Sequence, residues 1–312
     1  MPYQYHTADV FTDEAFGGNQ LAVLPNAIGL SDEHMLSITR EFNFSETVFV
    51  LPAEHPSHTR RLRIFTPGGE LPFAGHPTVG AAFVLAVTGE IESAGADTRI
   101  VFEELAGPVR VLIRTTASGS VFCQLTAPRL PERRESVPGV DILASILSLA
   151  PGDIQSGGSM TVEAVSAGVP FLFVPLRNLA ALGRARVRLD IWEKELSHTW
   201  APEIYLFVED LESAARDGVQ RGDGVIRSRM FAPTMGITED PATGGAAAAL
   251  GGYLAWRSNR QDGLLKWTIH QGVEMGRPSR LEVETDIRGS AIQAVRVGGA
   301  SVLVSSGVLH VP

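Results

Sequence analysis

An aspartate, a histidine and a glutamate, each next to a turn or helix start, are the side chains here best suited to acid–base chemistry. Asp240 opens the segment Asp240-Pro241-Ala242-Thr243-Gly244-Gly245, which leads into an Ala-rich helix. Glycines such as Gly244 and Gly245 leave backbone N–H groups uncovered at a helix start, and the helix dipole favours an anion there. Asp240 would accept a hydrogen bond from an amine or hydroxyl of the same ligand. A plain capped helix remains the alternative, because Asp is a common cap.

A matching loop in the first half of the chain contains His76. The segment Gly75-His76-Pro77-Thr78-Val79-Gly80 presents a polar side chain immediately before a helix that we expect proline to start. Two such helix starts facing each other across a cleft would form a pocket suited to small carboxylates. A lone loop histidine that only makes surface hydrogen bonds is the alternative.

Glu46 lies where the polar segment Asn43-Phe44-Ser45 meets an apolar strand predicted over Thr47 to Leu51. Apolar neighbours remove water from a carboxylate, which raises its pKa toward the range useful for proton transfer. A solvated glutamate at a strand start is the alternative. The turn Phe16-Gly17-Gly18-Asn19-Gln20 offers a polar tip that could reach the same cleft, although an ordinary turn explains it equally well.

The chain contains an internal repeat. Arg63-Ile64-Phe65-Thr66-Pro67 recurs as Arg229-Met230-Phe231-Ala232-Pro233, an offset of 229 − 63 = 166 residues. Each copy runs from a strand through a Gly/Pro loop into an Ala-rich helix. The repeat predicts two similar domains whose repeated loops meet at one cleft. The Pro-rich, charged stretch from Pro128 to Arg134 is the predicted linker.

The local patterns indicate a mixed α and β protein that is mostly antiparallel. Ser31 precedes two acidic residues and predicts a helix to about Glu41. The repeated helices are predicted over Thr78 to Val87 and from about Thr243 to Trp256. Their small residues allow close packing, as expected of helices inside barrel-like sheets.

Composition excludes several classes of function. With 312 residues, 44% of them hydrophobic, and a formal charge of −9, this is an ordinary globular chain for which nucleic acid is not an expected partner. Its apolar runs are too short to span a membrane and no signal peptide is recognisable, so we expect a cytoplasmic protein. A single cysteine, Cys123, excludes internal disulfides and cysteine-cluster metal sites. Carboxylates, a histidine and backbone amides remain, and they suit proton transfer with neither a metal nor a cofactor.

Five segments together resemble the PhzF-like phenazine-biosynthesis isomerase family. They are Phe16-Gly17-Gly18-Asn19, Ser45-Glu46-Thr47, Phe73-Ala74-Gly75-His76-Pro77-Thr78, Ser166-Ala167-Gly168-Val169-Pro170 and Asp240-Pro241-Ala242-Thr243-Gly244. They follow the family's order across nearly the whole chain. None would be specific alone, but together they are.

The resemblance implies an α+β fold similar to that of diaminopimelate epimerase, with two similar domains, each a curled antiparallel sheet around a central helix. We expect a first domain over 1–127, completed by a C-terminal strand over 295–312, and a second over 128–294. The resemblance also implies a homodimer and a site between the domains.

The resemblance also implies roles for individual residues. Glu46 would shuttle a proton in a cofactor-independent isomerisation, and His76 and Asp240 would orient the substrate. Backbone amides at Gly75 and Gly244 would bind a substrate carboxylate. The further substrate-binding candidates lie in the same segments: Gly18, Asn19, Ser45 and Gly245.

This chain departs from the family pattern at two positions. Gln20 stands where the family usually has proline, and Gly245 stands where a serine is common, which removes one hydroxyl donor to the ligand. The expected function is therefore an isomerase acting on a small carboxylate-bearing substrate that the sequence does not identify. The alternatives are a two-base racemase or epimerase using Glu46 and Asp240, and a non-catalytic protein that binds small carboxylates.

Overall fold

The computed structural model describes residues 2–92, 97–115, 120–134, 137–216 and 223–311. The chain divides into two compact units. Unit 1 consists of Met1–Pro128 and Arg296–Pro312, and unit 2 consists of Arg129–Val295. Within the part of the chain that the structure describes, no helix is long and apolar enough to cross a membrane.

In chain order the strands are β1 (Pro2–Val10), β2 (Asn19–Leu24), β3 (Glu46–Leu51), β4 (Arg60–Thr66), β5 (Gly69–Leu71), β6 (Asp97–Glu104), β7 (Gly107–Thr115), β8 (Val121–Thr126), β9 (Glu132–Arg134), β10 (Glu163–Ser166), β11 (Pro170–Pro175), β12 (Glu203–Glu209), β13 (Gly224–Ala232), β14 (Ile237–Asp240), β15 (Gly263–Gln271), β16 (Ser279–Arg288) and β17 (Ala291–His310). The α-helices are α1 (Asp32–Phe42), α2 (Gly75–Val87), α3 (Val140–Leu147), α4 (Leu179–Arg184), α5 (Leu189–Glu195), α6 (Leu211–Arg216) and α7 (Gly244–Ala255).

Unit 1 is a closed barrel of eight strands. Its strands pair in the order β1, β2, β3, β4, β6, β7, β8 and the C-terminal part of β17, which pairs back onto β1. Two of these pairs, β2 with β3 and β4 with β6, are parallel, and the others are antiparallel. Short β5 adds to β4 and leads into α2.

Unit 2 repeats the same alternation of antiparallel and parallel pairs over β10, β11, β12, β13, β15 and β16. The pairs β10–β11, β12–β13 and β15–β16 are antiparallel, whereas β11–β12 and β13–β15 are parallel. Short β14 adds to β13 and leads into α7, as β5 leads into α2. The α+β class and the duplication of a curled sheet with a central helix are thereby confirmed.

Each central helix is buried on every side. All residues of α2 from Gly75 to Leu85 are buried, and the helix contacts β1, β2, β3, β7 and β8. At Gly80, a Cβ atom would collide with the side chains of Leu21 and Val10. The predicted close packing of small-residue helices is therefore confirmed in unit 1, where side chains of β1 and β2 reach the helix backbone.

Other helices cover the outside of each sheet. In unit 1, Met35 and Ile38 of α1 pack on Phe49 and Phe65 of the barrel wall. In unit 2, α3, α4 and α5 cover the outward-facing residues of β11 and β12 in a second apolar cluster. Ser31 caps α1 as predicted, because its Oγ accepts the His34 N–H at 3.2 Å. Glu46, Val48 and Val50 alternate with Phe49 along β3, so they point to the other face, toward α2.

Two local predictions need correction. The boundary between the units falls after Pro128, inside the predicted linker from Pro128 to Arg134, but that segment also contains β9, which pairs with β10. Helix α2 begins at Gly75 rather than Thr78, so His76 lies inside the first helical turn instead of in a loop before it. Proline is compatible with a first turn, where its missing N–H would have no partner.

Candidate active site

Glu46 and Asn19 lie at the same edge of the unit 1 barrel because β2 and β3 run parallel. Glu46 is the first residue of β3 and is paired in register with Leu21. Asn19 begins β2 two residues earlier, so its side chain shares the inward face of Leu21. The loop before Asn19 requires glycine, since Gly18 has φ of +60° and a Cβ there would collide with the Val10 carbonyl oxygen.

His76 connects the central helix to this edge. Its Nε2 lies 3.6 Å from Glu46 Oε2, and its Nδ1 lies 3.2 Å from Asn19 Nδ2. The Asn19 amide nitrogen can only donate, so Nδ1 accepts, and the Ser45 hydroxyl lies 3.1 Å from Asn19 Oδ1. In the neutral imidazole the hydrogen is therefore on Nε2, directed toward the Glu46 carboxyl. The structure thus brings together the predicted residues Asn19, Ser45, Glu46 and His76.

The Glu46 carboxyl is almost completely buried, with the residue 8% exposed. Burial raises its pKa from 4.5 to about 7, and a hydrogen bond from Ser45 opposes that rise. Among the described residues, Oε2 has no hydrogen-bond partner and is shielded from solvent. A carboxyl with a pKa near neutrality can both take and return a proton, which is what a single acid–base catalyst must do.

Backbone amides lie beside these side chains. Gly75 is the first residue of α2, after the N-cap Ala74, so the N–H groups of Gly75 and His76 have no acceptor within the helix. The helix dipole adds positive potential at this end. Unit 1 therefore combines a proton carrier, an imidazole and a helix start favourable to anions.

In unit 2, Asp240 is held by its own hydrogen-bond network. It ends β14 and is 6% exposed. The hydroxyl of Thr243, the N-cap of α7, donates to Asp240 Oδ2 at 2.5 Å, and Gln271 Nε2 donates to the Asp240 carbonyl oxygen at 2.8 Å. Gly244 and Gly245 are the first two residues of α7. That this group and the unit 1 group serve one substrate stays a prediction.

The structure aligns the two copies of the repeat differently from the sequence pattern, which had placed His76 opposite Asp240. Leu71 pairs with Ile64 in unit 1 as Asp240 pairs with Met230 in unit 2, so Leu71 and Asp240 are equivalent. Because Gly75 and Gly244 both begin helices, His76 is equivalent to Gly245. His76 and Asp240 thus occupy different positions in their units, and the polar residue before proline is not a shared feature.

Sequence reasoning missed Glu203, the counterpart of Glu46. Glu203 begins β12 and pairs with Phe171 as Glu46 pairs with Leu21. It is 2% exposed, accepts a hydrogen bond from the Thr234 hydroxyl, and burial raises its pKa to about 8. The signal was present in the sequence, because a glutamate followed by an apolar run occurs at both 46–51 and 203–208.

Neither the single cysteine nor a metal site offers a further reactive group among the described residues. Cys123 is buried in the unit 1 sheet, and burial raises the pKa of its thiol well above the usual range, which makes it unreactive. The described residues contain no group of three or more His, Cys, Asp or Glu side chains arranged to hold a metal ion.

Comparison with known proteins identifies the family. The model of the phenazine biosynthesis-like protein family matches residues 8–307, nearly the whole chain. The chain belongs to this family. The predicted resemblance, drawn from five short segments, is thereby confirmed.

Members of the phenazine biosynthesis-like family with curated names are similar over their full lengths. An uncharacterized isomerase from Mesorhizobium japonicum is 39% identical, with 98% of each chain covered. A trans-2,3-dihydro-3-hydroxyanthranilate isomerase from Pseudomonas aeruginosa is 33% identical, again with 98% of each chain covered. The chain is accordingly an isomerase.

Solved structures of this family and of related epimerases share the fold. A PhzF-family phenazine biosynthesis protein from Bacillus anthracis superposes with a TM-score of 0.86 at 24% identity, covering 100% of both chains. A predicted epimerase from Pseudomonas aeruginosa has a TM-score of 0.78 at 29% identity, covering 99% of this chain and 100% of the other. A hydroxyproline epimerase from Agrobacterium vitis, at 14% identity and TM-score 0.65, covers 99% of this chain and 91% of its own and shares the fold alone.

Proposed function

We propose that this isomerase moves a proton within one small carboxylate-bearing substrate, with Glu46 as the only acid–base group. The observation that carries the proposal is the buried Glu46 carboxyl, 3.6 Å from His76 Nε2 and with a pKa of about 7. Near neutral pH such a group exists in both protonation states. It can therefore act first as base and then as acid in one turnover.

The proposed reaction is balanced in protons and uses neither a cofactor nor a metal. Ionised Glu46 removes a proton from a carbon next to an activated centre, and protonated Glu46 returns it to another atom of the same substrate. The His76 Nε2–H is directed at the carboxylate and steadies it while the negative charge is redistributed. Asn19 keeps His76 in the tautomer that this contact requires, because its amide nitrogen donates to Nδ1.

For the substrate class, we propose a cyclic or amino-acid-like molecule with an amine or hydroxyl beside its carboxylate. The trans-2,3-dihydro-3-hydroxyanthranilate isomerases among the relatives act on such a compound by their name. The amides of Gly75, Gly244 and Gly245 would bind the carboxylate, since helix N-termini favour anions. Asp240 would accept the amine or hydroxyl.

The test is the replacement of Glu46 by Gln. General acid–base catalysis contributes roughly 10²–10⁴-fold to a rate, so E46Q should lose about that factor in kcat and retain substrate binding. The assay follows deuterium exchange from heavy water into trans-2,3-dihydro-3-hydroxyanthranilate and a panel of hydroxy and amino acids. E46D, which keeps a carboxyl, is the matched control and should retain more activity than E46Q. Full activity in E46Q would refute the assignment.

The two-base alternative, with Glu46 and Asp240 on opposite sides of a stereocentre, predicts a different isotope pattern. A single base that returns the same proton leaves some original hydrogen in the product. Two-base inversion places solvent deuterium at the inverted carbon in every turnover. Mass spectrometry of a single turnover in heavy water therefore separates the two mechanisms.

A further inference from the structure

The last residue of β6, Glu104, is a buried carboxyl in unit 1 that the proposed proton transfer does not use. It is 8% exposed and shares the inward face of the strand with Ile100 and Phe102. Its Oε2 is shielded from solvent and has no hydrogen-bond partner among the described residues. A buried polar group of this kind needs a structural or chemical reason.

Glu104 is connected through Thr78 to the first turn of α2 on both sides of His76. Its Oε1 lies 2.6 Å from Thr78 Oγ1, which in turn lies 2.7 Å from the Ala74 carbonyl oxygen. Ala74 is two residues before His76 and Thr78 is two residues after it. The carboxyl therefore connects β6 directly to the helical turn that carries the imidazole.

The geometry around Thr78 fits a protonated Glu104. Thr78 Oγ1 is 2.6 Å from Glu104 Oε1 and 2.7 Å from the Ala74 carbonyl oxygen. A hydroxyl has one hydrogen, and a backbone carbonyl can only accept. Both contacts are hydrogen bonds at the same time if Glu104 is a carboxylic acid that donates to Thr78 Oγ1 while Thr78 donates to Ala74.

The duplicated unit has a neutral side chain in the same place. Gln271 ends β15 as Glu104 ends β6, and it is fully buried. Its Oε1 accepts the N–H of the N-cap Thr243 at 3.3 Å. Its Nε2 donates to Thr243 Oγ1 at 3.0 Å. A protonated carboxyl has the shape of this amide and, like it, can donate to a threonine hydroxyl.

The charges near Glu104 do not favour its ionised form. Burial raises its pKa from 4.5 to about 8, against smaller opposing effects of the Thr78 and Ala74 hydrogen bonds. A neighbouring cavity of about 520 Å³ is lined by these charged or titratable residues besides Glu104: Glu54, His55, His58, Arg61, Arg63 and Glu103. They are engaged elsewhere: Arg61 with Glu54, His58 and the His55 N–H with Glu103, and Arg63 with Glu70 and Asp32. On α2 the titratable neighbour is His76.

We propose that Glu104 is a positioning residue that, as a neutral carboxylic acid, fixes the first turn of α2 and so holds the His76 imidazole opposite Glu46. The catalytic importance of His76 rests on the proposed function. The position of His76 does not depend on that proposal. The experiment therefore measures the tautomer of the His76 imidazole in the enzyme without substrate. Failure of the Glu46 assay and failure of this proposal are therefore distinguishable.

The experiment compares E104Q and E104A by nitrogen NMR of histidine-labelled protein at pH 6.5, with the His76 signals assigned from His76→Gln. E104Q, which copies unit 2, should keep the wild-type pattern of a protonated Nε2 and an accepting Nδ1. E104A should lose this fixed tautomer. F102L, a change on the same inward face two residues away, lowers stability but should leave the pattern intact.

An unchanged His76 pattern in E104A overturns the proposal. So does a loss of the pattern in E104Q, or a loss in F102L as large as that in E104A. If E104A does not fold, T78V removes the same connection and must produce the same loss. An infrared difference spectrum of wild type minus E104Q at pH 6.5 should contain the C=O band of a protonated carboxyl. Its absence would overturn the neutral form.

Discussion

At the scale of single residues, the environment of one carboxyl decides the chemistry. Glu46 is an ordinary glutamate in the sequence, and its pKa of about 7 arises from burial between β3 and α2. The Ser45 hydrogen bond acts in the opposite direction and keeps that pKa from rising further. If Glu46 is the base, the rate should rise with pH through its pKa, because only the ionised form removes a proton.

Ser45 should therefore tune the pH profile. Replacing it with Ala removes the contribution that lowers the pKa of Glu46, so the acid limb of kcat/KM should move to higher pH. S45T keeps a hydroxyl and should leave the limb near its wild-type position. A limb that moves to lower pH in S45A would contradict this reading of the site.

Sequence reasoning identified Asn19, Ser45, Glu46 and His76 as candidates but not their contacts with one another. Glu46 and His76 are 30 residues apart, and their 3.6 Å approach depends on how α2 packs within the barrel. Glu104 was missed for the same reason, because its burial is a property of the folded sheet. Glu203 was missed although the glutamate and apolar run at 46–51 recur at 203–208.

At the scale of elements, glycine and proline account for most differences between prediction and structure. Gly75 and Pro77 indicated a loop but belong to a first helical turn. Strand β17 continues through Gly298 and Gly299 without a break. At Gly298 a Cβ would lie 2.7 Å from the Cys123 carbonyl oxygen, so glycine permits the close strand pairing there.

The same substitution should have opposite effects in two helices. G80A places a methyl group against Leu21 and Val10 inside the barrel, so it should destabilise unit 1 by about 1–3 kcal/mol through overpacking. G183A in α4 meets no atom within 4 Å, and it should stabilise the helix by roughly 0.5–1 kcal/mol. Denaturant unfolding of both variants measures the difference. If G80A raised the free energy of unfolding, as G183A is expected to do, α2 would not be tightly enclosed.

At the scale of the whole molecule, two copies of one topology have diverged in their ionisable residues. Glu46 corresponds to Glu203, whereas Leu71 corresponds to Asp240 and His76 to Gly245. The duplicated backbone was visible in the sequence as the repeat around Arg63 and Arg229. In both copies that arginine bonds a nearby glutamate through two nitrogens, Glu70 in one and Glu239 in the other.

Three buried carboxyls should make the protein less stable as pH rises. The pKa values of Glu46, Glu104 and Glu203 are raised from 4.5 to about 7, 8 and 8. Between pH 4.5 and 8 the folded chain binds more protons than the unfolded chain, so the free energy of unfolding falls with pH, by a few kcal/mol per group as an order of magnitude. Denaturant unfolding from pH 5 to 8.5 measures this. E203Q should flatten the slope, and a stability that increases across this range would contradict the assignment.

The homodimer expected from the family resemblance remains a prediction, and β17 suggests where it forms. From Val297 to Val311 the chain carries no Asp, Glu, Lys or Arg, and Leu303, Val304 and Val308 are exposed. Natural edge strands usually carry charges that prevent association. Light scattering should give a mass twice the 33.4 kDa of one chain. The double variant L303K/V308K should have the mass of a single chain. A wild-type monomer would refute the prediction.

The closure of the unit 1 barrel has a consequence for synthesis on the ribosome. Pro2 pairs with His310 and Thr7 with Ser305, so β1 cannot pair with β17 until residues 301–310 have been made. Residues 129–295 emerge earlier and contain every strand of unit 2. Contacts this distant in sequence form slowly. The nascent chain thus carries β1 unpaired on that side while unit 2 can already fold, and this interval is when a chaperone would matter most.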